Sequence, residues 1–383
     1  MARRGSELGE GEEPVKPAAS DLPPLDGGGV VEPLMDVGSA TSTAPSSLTA
    51  GFKIAKQASK GTGASTGFLI GRVVQSGGAP AFDYTTSADE HYYATSVRAT
   101  SNKSMSRRNS YTVPWAVRGY LHPELYGMLL VAGGFAAVST GAAPAYTHPF
   151  KIAARSAVPW TTICESIGEG ANQIERKIID CRATQISVTG SAGGLMLAAQ
   201  GLGRIEETAA GTEAGTVEPE ELVLPSAGQK VTIDINGEEL VSAIRSVEIR
   251  HTQALDTREM MLWSFGRPDL PQQAVAWTFA LRGIDVTKDV FRMLTYGSIA
   301  GTGPSRVCPS GEVNFKFESA GNIPTGVVPY SIAWAAPKVE WRMGNIVASG
   351  ADLIRFDLQG IMIDEAAGTD PLTVTLVNGK ASY

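Results

Sequence analysis

Four histidines (His91, His122, His148 and His251) and three cysteines (Cys164, Cys181 and Cys308) are the side chains in this chain best suited to gripping a metal ion. A zinc site needs such residues at short fixed spacings, because one helical turn or one tight knuckle must aim two ligands at the same ion. Here they are scattered, without His-Glu-x-x-His or Cys-x-x-Cys, so no metal site is expected. Asp-Ile-Asn-Gly-Glu-Glu at 234–239 carries oxygen ligands like the start of a calcium loop. Its glycine stands fourth where such a loop needs it sixth, and no glutamate takes the twelfth place. Asn236-Gly237 fits a two-residue hairpin turn instead. Gly-Thr-Gly-Ala-Ser-Thr-Gly at 61–67 has the composition of a phosphate loop but neither of the spacings that wrap backbone N–H groups around a phosphate. No Gly-x-Ser-x-Gly elbow occurs, and no carboxylate pair stands out for acid–base work. The expectation is a protein with no catalytic residue, no cofactor and no metal. The odd cysteine set reads as buried free thiols in a reducing compartment, with a contact between Cys164 and Cys181 across a hairpin left open.

The elements explain more than the chemistry does. Gly is abundant at 43, Pro numbers 22, and only 19% of residues are charged, a balance that suits short strands and many turns. Tyr111, Val113, Trp115 and Val117 alternate with Thr112, Ala116 and Arg118 in a strand that ends Trp-Ala-Val-Arg-Gly at 115–119. Val275, Trp277, Phe279 and Leu281 alternate with Ala276, Thr278, Ala280 and Arg282 in a second, ending Phe-Ala-Leu-Arg-Gly at 279–283. The two superpose in register, Arg included. Pro114 marks the first as an edge or bulged strand, since proline cannot donate to the ladder. A short helix follows each: Pro123 fits a first helical position ahead of Leu125, Met128, Leu129 and Ala132, and Asp285 or Thr287 can cap a stripe of Val290, Met293 and Leu294 that stops at Gly297.

Two further correspondences follow the same order. Leu-Met-Leu-Ala-Ala-Gln-Gly at 195–201 parallels Ile-Arg-Phe-Asp-Leu-Gln-Gly at 354–360, and residues 94–104 parallel 244–254, with Arg98 opposite Arg250. Repetition in one order at similar separations implies duplication. Additional strands are expected at 231–235, 312–319 and 372–378. The chain therefore reads as mainly β: a Pro/Gly-rich N-terminal arm over 1–50, a first β-sandwich or partial-barrel domain over 51–222 and a second over 223–383, each with one flanking helix.

The most basic stretch is Asn-Lys-Ser-Met-Ser-Arg-Arg-Asn-Ser at 102–110, with Lys103, Arg107 and Arg108. Lying between two strands, it is expected at a hairpin tip or long loop, either solvated or docked on an acidic face of a neighbouring subunit. The corresponding segment of the second copy, 254–261, carries Arg258 and is mixed in charge. No aromatics interleave the basic residues, and the net charge of −7 gives no reason to expect grip on a phosphate backbone. Leu129–Val138 is too short and too broken by glycine for a membrane helix, and Arg3 and Arg4 precede no apolar core, so neither membrane insertion nor a secretory signal is expected.

Ile-Ala-Lys-Gln-Ala-Ser-Lys-Gly-Thr-Gly-Ala-Ser at 54–65, the two Arg-Gly-plus-helix units and the closing Pro-Leu-Thr-Val-Thr-Leu-Val-Asn-Gly-Lys-Ala-Ser-Tyr resemble the tail tube (major tail) proteins of long-tailed bacteriophages, in the form with a duplicated tube domain. The resemblance covers roughly residues 51–383. It implies a structural, non-enzymatic virion protein, made in the host cytoplasm and built into the tail. Three chains would form a pseudo-hexameric ring whose inner strands join into one continuous barrel. Stacked rings would conduct genomic DNA without binding it specifically, in contact with the tape measure, tail terminator and distal tail proteins. Residues 1–50 and the 101–110 loop would bridge successive rings. The other reading of the same sequence is a capsid decoration or host-binding β-module.

Overall fold

The computed structural model describes residues 51–77, 81–87, 105–154, 157–167, 174–191, 194–207, 213–219, 230–236, 238–239, 244–256, 269–285, 287–344, 355–363 and 370–383. These residues are mainly β, with two α-helices among them. In the first part of the chain, β1 (Gly51–Lys56), β2 (Phe68–Gly71), β3 (Val73–Ser76), β4 (Ala81–Ser87) and β5 (Met105–Tyr120) lead into α1 (Pro123–Ala132). The hairpin strands β6 (Phe135–Ala137), β7 (Thr140–Ala142) and β8 (Ala145–Ile152) follow, then β9 (Thr161–Ile167), β10 (Ile174–Ser191), β11 (Gly194–Gly203), β12 (Ile205–Glu207) and β13 (Gly215–Val217). The second part runs β14 (Lys230–Ile235), β15 (Glu238–Glu239), β16 (Ser246–Leu255) and β17 (Gln272–Asp285) into α2 (Lys288–Tyr296), and closes with β18 (Ser310–Asn322), β19 (Pro329–Met343), β20 (Arg355–Met362) and β21 (Thr373–Asn378).

The strand that ends in Arg-Gly and the strand that ends in Gln-Gly prove to be neighbours, twice, in one register. Trp115, Ala116 and Val117 of β5 face Gly201, Gln200 and Ala199 of β11. Phe279, Ala280 and Leu281 of β17 face Gly360, Gln359 and Leu358 of β20. The scheme extends outward. β10 pairs with β11, β9 and β12, as β19 pairs with β20, β18 and β21, and β9 and β18 pair in turn with β1 and β14. The place that β16 takes beside β17 is taken beside β5 by β3 and β4. The expected counterpart of β16, residues 94–104, lies outside the described residues, so that third correspondence is replaced by β3 and β4.

An edge or a bulge was expected at Pro114; it lies opposite Leu202 of β11 on one side and has no ladder partner from β3 or β4 on the other. Its missing N–H is tolerated because the other neighbour changes there: β3 pairs with residues 117–119 of β5 and β4 with residues 105–112.

β10 bends where it passes from one sheet to another. Its first half lies between β9 and β12, and its second half lies between β11 and β16. The corner is at Asp180, whose φ of 57° is in the left-handed region, beside a register shift between Ile178 and Cys181. Followed strand by strand, the ladders branch but never return to their starting point, so among the described residues the sheet is open and not a closed barrel.

Burial follows the alternation. Val113, Trp115, Val117, Trp277, Phe279 and Leu281 join one continuous core with Phe315, Ile332, Trp334 and Leu376, while Ala116, Arg118 and Arg282 face outward. α2 begins at the expected cap, with the Thr287 hydroxyl accepting from the Val290 N–H at 3.2 Å, and stops at Gly297 with φ 80°. Cys164 and Cys181 are buried and free, but each faces another residue: Cys164 pairs with Lys177 and Cys181 with Thr161. Cys308 corrects the expectation of three buried thiols, since it is exposed in the connection before β18.

Candidate interaction surface

The first and second parts of the chain, which share this pairing scheme, meet along two ladders. At one, the second half of β10 lies against β16, from Gln185 opposite Thr252 to Gly190 opposite Val247. At the other, β8, part of the β6–β8 hairpin inserted after α1, adds to the edge of β21, from Phe150 opposite Val374 to Tyr146 opposite Asn378. Different surfaces of the two repeats are used, which is the geometry of a head-to-tail contact.

Side chains bolt this junction. The Trp334 indole N–H of β19 donates to the Tyr126 hydroxyl of α1 at 2.9 Å, and both are buried. Asn378 Oδ1 accepts from the Lys380 N–H at 2.9 Å, so its Nδ2 donates to the Tyr383 hydroxyl at 2.6 Å. His148 Nε2 lies 3.1 Å from the same Oδ1 and must therefore carry the ring proton, leaving Nδ1 to accept from Ser139 at 2.7 Å. The Tyr383 ring occupies the space a side chain at Gly127 would need, with its Cε1 only 2.4 Å from where a Cβ would stand.

The consequence for the helices is an asymmetry. Every residue of α1 is buried, and it packs against β10, β6, β1 and β2 on its own side and β19 and β21 on the other. A helix covered all round must be largely apolar all round, and after Glu124 in its first turn the run Leu-Tyr-Gly-Met-Leu-Leu-Val-Ala satisfies that. α2 buries only Val290, Met293 and Leu294 and keeps Lys288 and Asp289 exposed.

Glu218, just after β13, closes the N-terminus of α1 from a distance. Its carboxylate accepts from the Leu125 N–H at 3.0 Å and the Arg72 N–H at 3.1 Å, and it lies 3.8 Å from His122 Nδ1. Burial pushes the Glu218 carboxyl up to about 8 and His122 down to about 4, so neither easily holds its charge in this site.

Elsewhere in the core, His251 packs between Phe135 and Trp277, with ring centroids 5.1 and 4.8 Å away. Burial lowers it to about 3. A histidine held below its unfolded value binds fewer protons folded than unfolded, so its contribution is present above about pH 6.5 and is lost as the pH falls toward 3. Urea unfolding at stepped pH is therefore expected to show wild type losing stability relative to His251→Leu across that window, and parallel curves would refute this.

The opposite face of the large sheet is uncovered and polar across both repeats: Arg118 and Ala116 on β5, Gln200 on β11, Gln185 and Ser187 on β10, Arg250 and Thr252 on β16, Thr278 and Arg282 on β17 and Gln359 on β20. Its charges are mostly met in place, Glu248 pairing with both Arg250 and Arg282.

Of the four residues singled out as contacts, Lys103 and Arg258 lie outside the described residues. Arg107 and Arg108 stand within β5, opposite Thr85 and Tyr84 of β4, so these two arginines belong to a strand and not to the loop expected over 102–110. Sequence reasoning passed over the residues that bolt the junction, Tyr126, Asn378 and Tyr383. The only signal was the polar Asn-Gly close of β21, which reads as a turn. Among the described residues no cluster of His, Cys, Asp and Glu is disposed to hold a metal ion, and no helix is long and apolar enough to cross a membrane. No family model matches the chain, and no curated protein matches it at a significant level.

Proposed function

We propose that the chain is a structural subunit that assembles with copies of itself, of the tail-tube kind, and that its repeats are a duplicated tube domain. The observation that carries this reading is the junction inside the chain. One repeat offers the edge of β10 and the other receives it on β16, so each repeat has a giving and a receiving side. In this reading the receiving side of the first repeat is β3 with β4, and the giving side of the second is the end of β19 at Arg342 and Met343, the counterpart of Gln185 and the residues after it. Used again between chains, the same contact joins β19 of one chain to β3 and β4 of the next and covers the outer face of α2, as β19 and β21 cover α1. Six repeats from three chains close a pseudo-sixfold ring, which also removes the open strand edges that a lone subunit must protect.

In this reading the uncovered polar face lines the lumen, and DNA slides past a net-acidic protein without specific grip. Lys103, Arg107, Arg108, Arg258 and the 1–50 arm contact neighbouring subunits or rings. The tape measure, terminator and distal tail proteins are the partners at the ends, the virion tail is the location, and the protein does no catalysis. Negative-stain electron microscopy of the purified protein at high concentration tests it. Hollow rings or tubes with a regular stacking repeat are expected, and a protein that stays dispersed and monomeric would overturn it.

A further inference from the structure

The two matching strand-end arginines live in different electrostatic surroundings. Arg282 is met by Glu248, 3.4 Å away, and Asp357 is held beside it by the Gly283 N–H at 3.2 Å. The common register identifies the residues that take those places around Arg118. Ala116 faces Gly77 as Ala280 faces Glu248, and Ala198 stands opposite Arg118 at the position Asp357 holds in the other repeat. Both carboxylates are gone. Arg118 is exposed and has no acidic partner among the described residues.

The same losses open a space. A shallow groove of about 180 Å³, open to solvent, runs over this part of the sheet, with small residues such as Ala116 and Ala198 on its floor. Arg118, Gln75, Gln185 and Gln200 stand around it. The guanidinium offers a planar fork suited to a carboxylate, and the amides offer donors and acceptors suited to a peptide backbone beside it. A single arginine in a net-acidic chain is a poor match for a phosphodiester polymer, which is gripped by several cations at once.

We propose that this groove is a binding site for an acidic peptide segment, one of whose carboxylates pairs with Arg118 as Glu248 pairs with Arg282. The site rests on the strand register and not on the ring reading.

Isothermal titration of the full chain with a hexaglutamate peptide at low salt tests it, with inorganic phosphate titrated in parallel. The wild type is expected to bind the peptide, Arg118→Gln to bind it at least tenfold more weakly, and Ala198→Asp, which restores the acid found in the other repeat, to weaken it similarly. Circular dichroism checks that both variants are folded. A wild type that shows no peptide binding up to millimolar concentration, or an Arg118→Gln variant that binds as well as wild type, would overturn the proposal. Saturation by phosphate without binding of the peptide would overturn it too, in favour of a simple anion site.

Discussion

Replacing Asp180 with alanine is expected to lower the stability of the chain by about 3–5 kcal/mol, the cost of stranding one partner of a buried ion pair. Asp180 is fully buried at the corner where β10 changes sheets. One carboxylate oxygen accepts from Gln57 Nε2 at 2.9 Å and the Gly61 N–H at 2.8 Å, and the other lies 2.9 Å from Arg204 Nε. Gln57 completes the clasp by accepting the Asp180 N–H. The backbone adds to the cost, because a left-handed φ is better tolerated by Asp, Asn and Gly than by Ala. Asp180→Asn keeps the permitted backbone and part of the hydrogen bonding, so it should fall between wild type and Asp180→Ala. Urea denaturation measures both. A loss below about 1 kcal/mol for the alanine variant would mean that the corner is held by packing and not by this clasp.

The second large effect concerns the glycines of the two Gln-Gly strand ends. A Cβ at Gly201 would stand 2.0 Å from the Arg182 carbonyl oxygen and 2.6 Å from the Trp115 ring. At Gly360 it would stand 2.6 Å from Val339 Cγ1 and 2.8 Å from the Trp341 ring. In both repeats an indole lies across the glycine, and the missing side chain is what makes room for it. Gly201→Ala and Gly360→Ala should therefore each destabilise by about 1–3 kcal/mol, the usual range for overpacking, with Gly201 the worse because backbone must move. Thermal unfolding of the two variants checks this. A neutral Gly360→Ala would show that the Trp341 indole, which comes from β19 where Trp115 comes from β5, can move aside.

These two sites differ in how well the sequence announced them. Gln-Gly, like the strand-ending Arg-Gly, closes two matching strands, and a repeat of that kind marks a place where geometry constrains the residue. The strand faces were equally legible, because Trp115 and Phe279 alternate with polar or small neighbours on a half-buried sheet. The helix limits were announced by Pro123, Thr287 and Gly297. The clasp at Asp180 was not, since Gln57 and Asp180 are far apart in sequence and nothing in either segment points to the other. The pairing of β8 with β21 was hidden for the same reason: nothing in Thr147 or Val377 says which of many strand edges each will meet. The missing acids beside Arg118 became visible only when the register placed Gly77 and Ala198 in the positions of Glu248 and Asp357. The interaction surface is thus written in long-range partners, whereas the elements are written in local spacing.

The burial of α1 on all sides also has a cost that bears on assembly. A helix so apolar would be a liability if the repeats came apart, so the junction must form as the chain folds. α2, half-covered, needs no partner to stay soluble but has a side free to accept one.

Native mass spectrometry of the smallest closed assembly tests the central claim most directly. If the junction inside the chain is the one used between chains, that assembly contains three chains, matching six repeats. A closed assembly of six chains, or a chain that remains monomeric at every concentration tested, would contradict it.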